Sequence, residues 1–468
     1  MTTPQPPTVR GLLAADAGLP APRPAVRPPA APAPEDVERP GPRDEFEPGW
    51  AGLGEALPPG TAMLCVTGSG SSEQPRISMT WHHARTVQTA PSPPELPQLG
   101  LSLARLMKDA TNAADAPVRT GCDGPWSTAY HQVRNWWLYQ NALVRWIRDL
   151  IASTPQPQLV VWDNTPYNIP WELFYHEPSA ASGGDGAWLG ELVPVVRWTS
   201  VHDGPRVWDY SAPKHASKGG LVMLLDGDLD VPLGGFPEYL ADPPYRTVDD
   251  LMARLDRPDD PLGLIMIRAH GSYSESANAF TIGGRSLNRF TGYPMRTLQE
   301  SGPPVLLNSC ASGQAMQDEQ LPGRPVRSFV ELFLRKGASA VVAVIGDIDI
   351  DHSHDFAARL LEDAADRPVN LAAVLREHRQ HYAKRTRDSS GKDEQSIEKD
   401  FKLFLTSFLY VYYGHPETTL HLTHPGAAAN GEALAATATA GAGARRTGST
   451  GVGPAESGPA GCGEGTES

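Results

Sequence analysis

The chain has 468 residues, with 40 Lys and Arg against 54 Asp and Glu, a formal net charge of −14. That balance argues against a sequence-independent nucleic-acid binder. No apolar run approaches the roughly 20 residues of a membrane span, and no basic region, apolar stretch and small-residue cleavage site marks a secretory leader. Both ends are compositionally biased: 15 of the 46 prolines fall in residues 1–60, and residues 425–468 hold 23 Ala or Gly and no aromatic. Such stretches bury too little apolar area to offset the entropy of ordering, so both are expected to be disordered. Cysteines stand at positions 65, 122, 310 and 462. They form neither a C-x-x-C pair nor a zinc-ligand spacing, which suits a reducing cytoplasm.

In chain order, AMLCVTG from Thr61 reads as a strand, followed by a helix near 98–109 and a stronger one over 129–151. In the second helix Val133, Trp136, Trp137, Val144, Ile147 and Ile151 recur at helical spacing and predict one apolar face. LVVW (159–162) reads as a buried strand, EPSAASGGDGA (177–187) as a loop and 188–201 as a hairpin arm. Residues 203–219 mark a boundary, which divides the globular part into an accessory or regulatory region, 61–210, and a second domain, 211–424. Within the latter LVMLL (221–225), LGLIMIRA (262–269), PVLLNS (304–309) and ASAVVAVIG (338–346) are apolar runs of strand length. Helices separate them, one capped by Thr247 and one running from Ser328 to Gly337. Further helices are expected at 353–365 and 369–386, and a closing strand or two in YVYYGHPETTLHL. This alternation predicts an α/β fold with a mostly parallel sheet and helices on both faces.

Ligands of such sheets gather beyond the carboxyl ends of the strands. The second run ends in His270, followed by Gly271 and Ser272, and the third in Cys310 within NSCASG. A cysteine at a strand end is commonly core, and a His-Gly pair is commonly a turn. Their joint placement on successive strand ends favours chemistry. On neighbouring strands the imidazole assists the thiolate and protonates a leaving amine. The N–H groups of Gly271 and Cys310 then face a developing oxyanion.

IMIRAHGSY, followed forty residues later by VLLNSCASG, resembles the CHAT family of caspase-like peptidases. In caspases the His precedes the Cys by about 50 residues. LVVWDNTPYNIPWELFY, FLRKGASAVVAVIGDIDID and FLYVYYGHPETTLHL resemble further segments of that family, so the similarity covers about residues 150–424. The resemblance implies a caspase-like fold, His270 as general base and acid, Cys310 as nucleophile, Gly271 and Cys310 as oxyanion donors, and no metal or organic cofactor. It also suggests conditional activation and a role in bacterial defence or programmed death. Departures are Gly346, where many relatives carry Trp, and the absence of the tetratricopeptide repeats that often precede the domain.

Other candidates are weaker. Asp226, Asp228 and Asp230 resemble a phosphatase D-x-D, but an acid stands where a hydroxyl residue is usual, and a solvated turn accounts for them. TGSGSS (67–72) lacks the Lys of a P-loop. His378 with His381, and His352 with His354, are expected to be solvated rather than ligands. Asp347, Asp349 and Asp351 either cap a helix start or form an acidic lip favouring Lys or Arg before the scissile bond, with Asp347 and Asp349 the candidate substrate-binding pair. The sequence therefore predicts a cysteine endopeptidase acting on a protein or peptide, with an activating protein partner docking on 61–210. The alternative is a non-catalytic caspase-like scaffold.

Overall fold

The structure is a computed structural model. It describes residues 57–425 apart from 70–75, 84–85, 92–102, 115–123, 137–140, 166, 178–185, 204–205, 209–213, 227–228, 230–235, 258–260, 318–325 and 389–390. All of these belong to one compact unit, Gly49–Ser468, and the other unit, Met1–Pro48, lies outside the described residues. The expected disordered ends, 1–60 and 425–468, fall almost wholly outside them too, as do Cys122, Cys462, Asp228, Asp230 and most of the 177–187 loop.

One twelve-stranded sheet organises the unit. Its strands are β1 (Thr61–Ser69), β2 (Arg76–His83), β3 (Thr86–Pro91), β4 (Gln158–Asp163), β5 (Val195–Trp198), β6 (Ala216–Leu225), β7 (Leu262–Arg268), β8 (Val305–Leu307), β9 (Ala340–Val344), β10 (Val369–Asn370), β11 (Tyr410–Gly414) and β12 (Thr419–Leu422). In space they run β10-β12-β6-β7-β8-β9-β11-β5-β4-β1-β2-β3. The four apolar runs of the second region are neighbours and parallel, as expected. Every residue of β7 and of β9 is buried, which requires cover on both faces of the sheet. The α/β fold with a mostly parallel sheet is thus what the chain adopts.

The longer helices are α1 (Leu103–Ala114), α2 (Pro125–Trp136), α3 (Asn141–Ser153), α4 (Val248–Leu255), α5 (Phe329–Arg335), α6 (Ile350–Asp366), α7 (Leu371–Arg387) and α8 (Glu394–Ser407). Thr247 and Ser328 cap α4 and α5, accepting from Asp250 N and Glu331 N. Three expectations change. The single helix over 129–151 is two, because its apolar residues serve different cores: Val133 joins the main one, whereas Leu143, Ile147 and Leu150 join a second one with Val161 and Val195. The 188–201 hairpin arm is a short helix, Leu189–Leu192, leading into β5, which pairs in parallel with β4. Helix α8 was not expected. Its Glu398 carboxylate accepts from Trp126 N at 2.8 Å and Ser127 N at 3.0 Å, satisfying the first turn of α2.

Inside antiparallel edge strands, β10 on one side and β2 and β3 on the other, the sheet holds two parallel blocks in opposite directions, joined where β9 and β11 pair antiparallel from Ala340↔Gly414 to Val344↔Tyr410. Beyond that seam β11 runs parallel to β5. A strand from the end of the chain therefore joins the block built by residues 61–198, and the two expected regions share one sheet.

A buried ion network reinforces this junction. Glu172 accepts from Arg197 Nε on β5 at 2.9 Å and also pairs with Arg197 Nη2. Arg379 of α7 stands 3.9 Å from the same carboxylate and donates to Tyr410 O on β11 at 2.6 Å. Burial drives the Glu172 carboxyl upward, but Arg197 and then Arg379 overcome it and hold it below the usual carboxylate value. Removing one partner of such a pair strands a buried charge. Arg197→Met is expected to cost about 3–5 kcal/mol at neutral pH, read by urea denaturation. Because the folded Glu172 value is depressed, this contribution is present above the ordinary carboxylate range and lost as pH falls through the depressed value. The gap between parent and variant should therefore narrow in acid.

Candidate active site

Strands β7 and β8 set the site. Their register pairs Ile265 with Val305 and Ile267 with Leu307, and each strand ends three residues or fewer before His270 or Cys310. Hydrogen bonds carry the alignment past the strand ends: Asn308 N donates to Ile267 O at 2.9 Å, and Ala269 N to Ser309 Oγ at 3.3 Å. Gly271 then lies directly on the Cys310 backbone. A Cβ there would stand 2.0 Å from the Cys310 carbonyl oxygen, so only glycine fits. His270 is exposed and Cys310 is half-buried. The structure thus sets Gly271 against the Cys310 backbone, with His270 the residue before it.

The loop after Cys310 is tightly held. Ala311 takes φ +56°, a left-handed conformation that costs a non-glycine residue about 1–2 kcal/mol. Hydrogen bonds offset that strain. Ala311 N donates to Gly346 O and Gly313 N to Val344 O, each at 2.8 Å. Ser312 Oγ donates to Leu307 O at 2.9 Å and accepts from Val344 N at 3.1 Å. Gln314 Nε2 donates to Ile345 O at 2.9 Å. Further along, Ala315 exchanges two hydrogen bonds with the Asn168 carboxamide and accepts one from the Tyr273 hydroxyl.

Behind the nucleophile, Asn308 Nδ2 donates to Ser353 O in α6 at 3.0 Å, and Tyr410 Oη donates to Asn308 Oδ1 at 2.7 Å. The segment 346–348 forms one wall. Ile348 N points at Cys310 Sγ from 3.4 Å, and the thiol faces Ile348 O at 3.8 Å. Burial pushes the Cys310 thiol up, and Asp347 adds to the rise; the N–H groups of Ile348 and Cys310 oppose it. In this state the sulfur is a thiol at neutral pH, and a base must take its proton before it attacks.

The two candidate acids part ways here. Asp347 is exposed and acts electrostatically on Cys310. Asp349 is the cap of α6, accepting from Asp351 N at 3.0 Å, and lies 3.5 Å from Lys402 Nζ. The histidines set aside as solvated also divide. His354 is half-buried, 3.5 Å from Arg268 Nη1, and His381 is exposed. His352 and His378 are buried, with their Nε2 atoms 3.3 Å apart. Burial lowers both, His352 to about 4, so both are neutral and share one hydrogen bond. Their helices expose the faces around them, but these two positions point at Tyr382 and Phe356. No group of three or more potential metal ligands occurs among the described residues. No helix among them is long and apolar enough to cross a membrane.

Asn168, Tyr273, Asn308 and Ser312 were not singled out from the sequence. Asn308 and Ser312 flank the cysteine closely enough to have been considered. Asn168 lies 147 residues from its partner and carries no such signal.

No family model matches the chain, and no curated protein matches it. Among solved structures it is similar to two crystal structures of the Saccharomyces cerevisiae separase–securin complex. One, at 3.0 Å resolution, matches with 10% identity and a TM-score of 0.44, covering 77% of this chain and 30% of that chain. The other, at 2.6 Å, matches with 9% identity and a TM-score of 0.40, covering 78% and 30%. The chain therefore spans under a third of the length of the chains it matches. Similarity at this level carries no argument about activity, which rests on the residues themselves.

Two outcomes follow from the geometry. Gly271→Ala must push the His270 and Cys310 segments apart, because the obstacle is backbone and no rotamer relieves it. The expected cost is roughly 1–3 kcal/mol by denaturation, with a changed rate of Cys310 alkylation by iodoacetamide. In the parent, alkylation of Cys310 followed by mass spectrometry should keep rising with pH above the ordinary thiol range.

Proposed function

We propose that the chain is a cysteine endopeptidase of caspase-like, CHAT type. The observation that carries this reading is the pairing of the adjacent parallel strands β7 and β8, whose ends lead into His270 and Cys310, with Gly271 packed on the Cys310 backbone. His270 takes the proton from the thiol, and Cys310 Sγ attacks the scissile carbonyl. The N–H groups of Gly271 and Cys310 hold the oxyanion. The tetrahedral intermediate collapses to a thioester as His270 gives its proton to the leaving amine. A water deprotonated by His270 then attacks the thioester and releases the acid, returning Cys310 to the thiol.

A thiol raised by burial and by Asp347 suits a resting state that is switched on, in keeping with conditional activity. It also suits the rival reading, a caspase-like scaffold in which the cysteine only packs. Residues 61–198 contribute strands to the same sheet, so a protein partner docking on the 61–210 region acts on a continuous body. A reducing, cytoplasmic setting keeps the nucleophile active.

Specificity falls to Asp347, since Asp349 is occupied in capping α6. An exposed carboxylate beside the nucleophile attracts a basic side chain before the scissile bond and repels an acidic one. A fluorogenic peptide library varied at that position is expected to show cleavage after Lys or Arg. Asp347→Asn should lower that preference by about ten-fold, and Asp349→Asn should change it little. Cys310→Ala and His270→Ala should each abolish cleavage with folding intact. Full activity in both variants would sink the peptidase in favour of the scaffold, and a Leu or Met preference indifferent to Asp347→Asn would sink the acidic pocket.

A further inference from the structure

We propose that Asn168 is a positioning residue of this site, holding the Cys310 loop at its working distance from the His270 segment. The proposal rests on the peptidase reading above and adds to it the means by which the 61–210 region reaches the dyad. The Asn168 carboxamide meets one backbone unit at both ends: its Oδ1 accepts from Ala315 N at 2.7 Å, and its Nδ2 donates to Ala315 O at 3.1 Å. Two bonds of opposite polarity fix the amide and the loop together, as a strand partner does. The same Ala315 oxygen accepts from the Tyr273 hydroxyl at 3.2 Å. Tyr273 stands three residues after His270, and Ala315 five after Cys310. The backbone of a single residue, Ala315, therefore joins the histidine segment, the cysteine loop and the upstream region.

The segment that presents Asn168 is rigidly held. Asp163, at the end of β4, accepts from Thr165 N at 2.9 Å, Thr165 Oγ1 at 2.6 Å and Trp171 Nε1 at 2.8 Å. On the other side Ile169 O accepts from the buried Arg197 at 3.0 Å. Asn168 itself takes φ +51°. Asparagine tolerates that conformation better than most residues, so a purely local role also accounts for its presence. Glycine meets the backbone demand equally well and lacks the carboxamide. Asn168→Gly therefore separates the two roles.

The test is a cycle on the full chain with four proteins: parent, His270→Ala, Asn168→Gly and the double variant. The readout is the rate of Cys310 alkylation by iodoacetamide across pH, followed on the Cys310 peptide by mass spectrometry. His270→Ala is expected to slow alkylation at neutral pH by about ten-fold in the parent and by less than about two-fold in the Asn168→Gly background. The Asn168→Gly pH profile should lose the His270-dependent rate at neutral pH and keep only the rise above the ordinary thiol range that burial and Asp347 impose. In peptide cleavage Asn168→Gly is expected to lower kcat by about 10- to 100-fold with KM nearly unchanged, because it shifts reacting groups rather than substrate contacts. An equal His270 effect in both backgrounds, or parent-like turnover in Asn168→Gly, overturns the proposal. Should Asn168→Gly fail to fold, Tyr273→Phe removes only the other bond to Ala315 O; it must weaken the His270 effect in the same cycle, and an undiminished effect overturns the proposal. A parent that alkylates in a His270-dependent way but cleaves no peptide removes the peptidase and leaves the positioning role standing. A parent indifferent to His270→Ala overturns both.

Discussion

The buried Glu172 carboxylate is the constraint on which the architecture turns. An uncompensated carboxylate at that depth is far too costly to persist, so its partners must be brought to it. Arg197 comes from β5 and Arg379 from α7, and Arg379 reaches on to the Tyr410 carbonyl in β11. These are the elements that meet where β11 joins the block of residues 61–198. There β11 and β5 share a single paired position, Tyr413 with Arg197, so the backbone ladder alone joins them weakly. The ion network and the bond from Trp198 Nε1 to Gly414 O, at 2.8 Å, supply what the short ladder does not.

The same network reaches toward the candidate site. Arg197 Nη2 fixes Ile169 O, the preceding residue, Asn168, fixes Ala315, and the loop containing Ala315 begins at Cys310. From the other direction Tyr410 donates to Asn308, two residues before the nucleophile. Cys310 is thus reached from both sides by elements that Glu172 holds together. This arrangement explains how Ala311 keeps its left-handed backbone. A strained residue persists where its surroundings over-determine it: Ala311 N is bound to the Gly346 carbonyl, and Ser312 and Gly313 after it are bound to β8 and β9.

Much of this was legible in the sequence where burial imposes a simple pattern. A strand buried on both faces must be apolar throughout, which made β6, β7, β8 and β9 visible as runs, and their ends then pointed to His270 and Cys310. Helix caps were equally readable, since Thr247 and Ser328 sit where their oxygens meet an amide two or three residues on. Periodicity misled at 129–151, because spacing records that a face is buried and not which core receives it. Helix α8 was hidden by its charged first half, although Asp393 caps it by accepting from Ser396 N and Ile397, Phe401, Phe404 and Leu405 keep helical spacing. The burial of His352 and His378 was invisible because each is tolerable only through the other: a neutral pair shares one hydrogen bond in a setting where either alone lacks a partner. Asn168 failed for the same reason. Its meaning lies in a partner 147 residues away.

The electrostatics of the nucleophile complete the argument. A thiol becomes easier to ionise beside a cation or several N–H donors, and harder in an apolar or acidic setting. Cys310 has one flanking donor in Ile348 N, its own amide, an opposing acid in Asp347 and substantial burial. The balance falls on the side of the protonated form. On the proposed peptidase reading, proton transfer to His270 accompanies attack and tolerates little error in the distance between the two side chains. A site of this kind is controlled most economically through the spacing of its two segments, with no need to alter either residue. Gly271 sets the closest approach of those segments, and the Ala315 carbonyl, accepting from Tyr273, ties them together. On the positioning proposal, the contacts of residues 168 and 169 are the route by which the upstream block bears on the Cys310 loop.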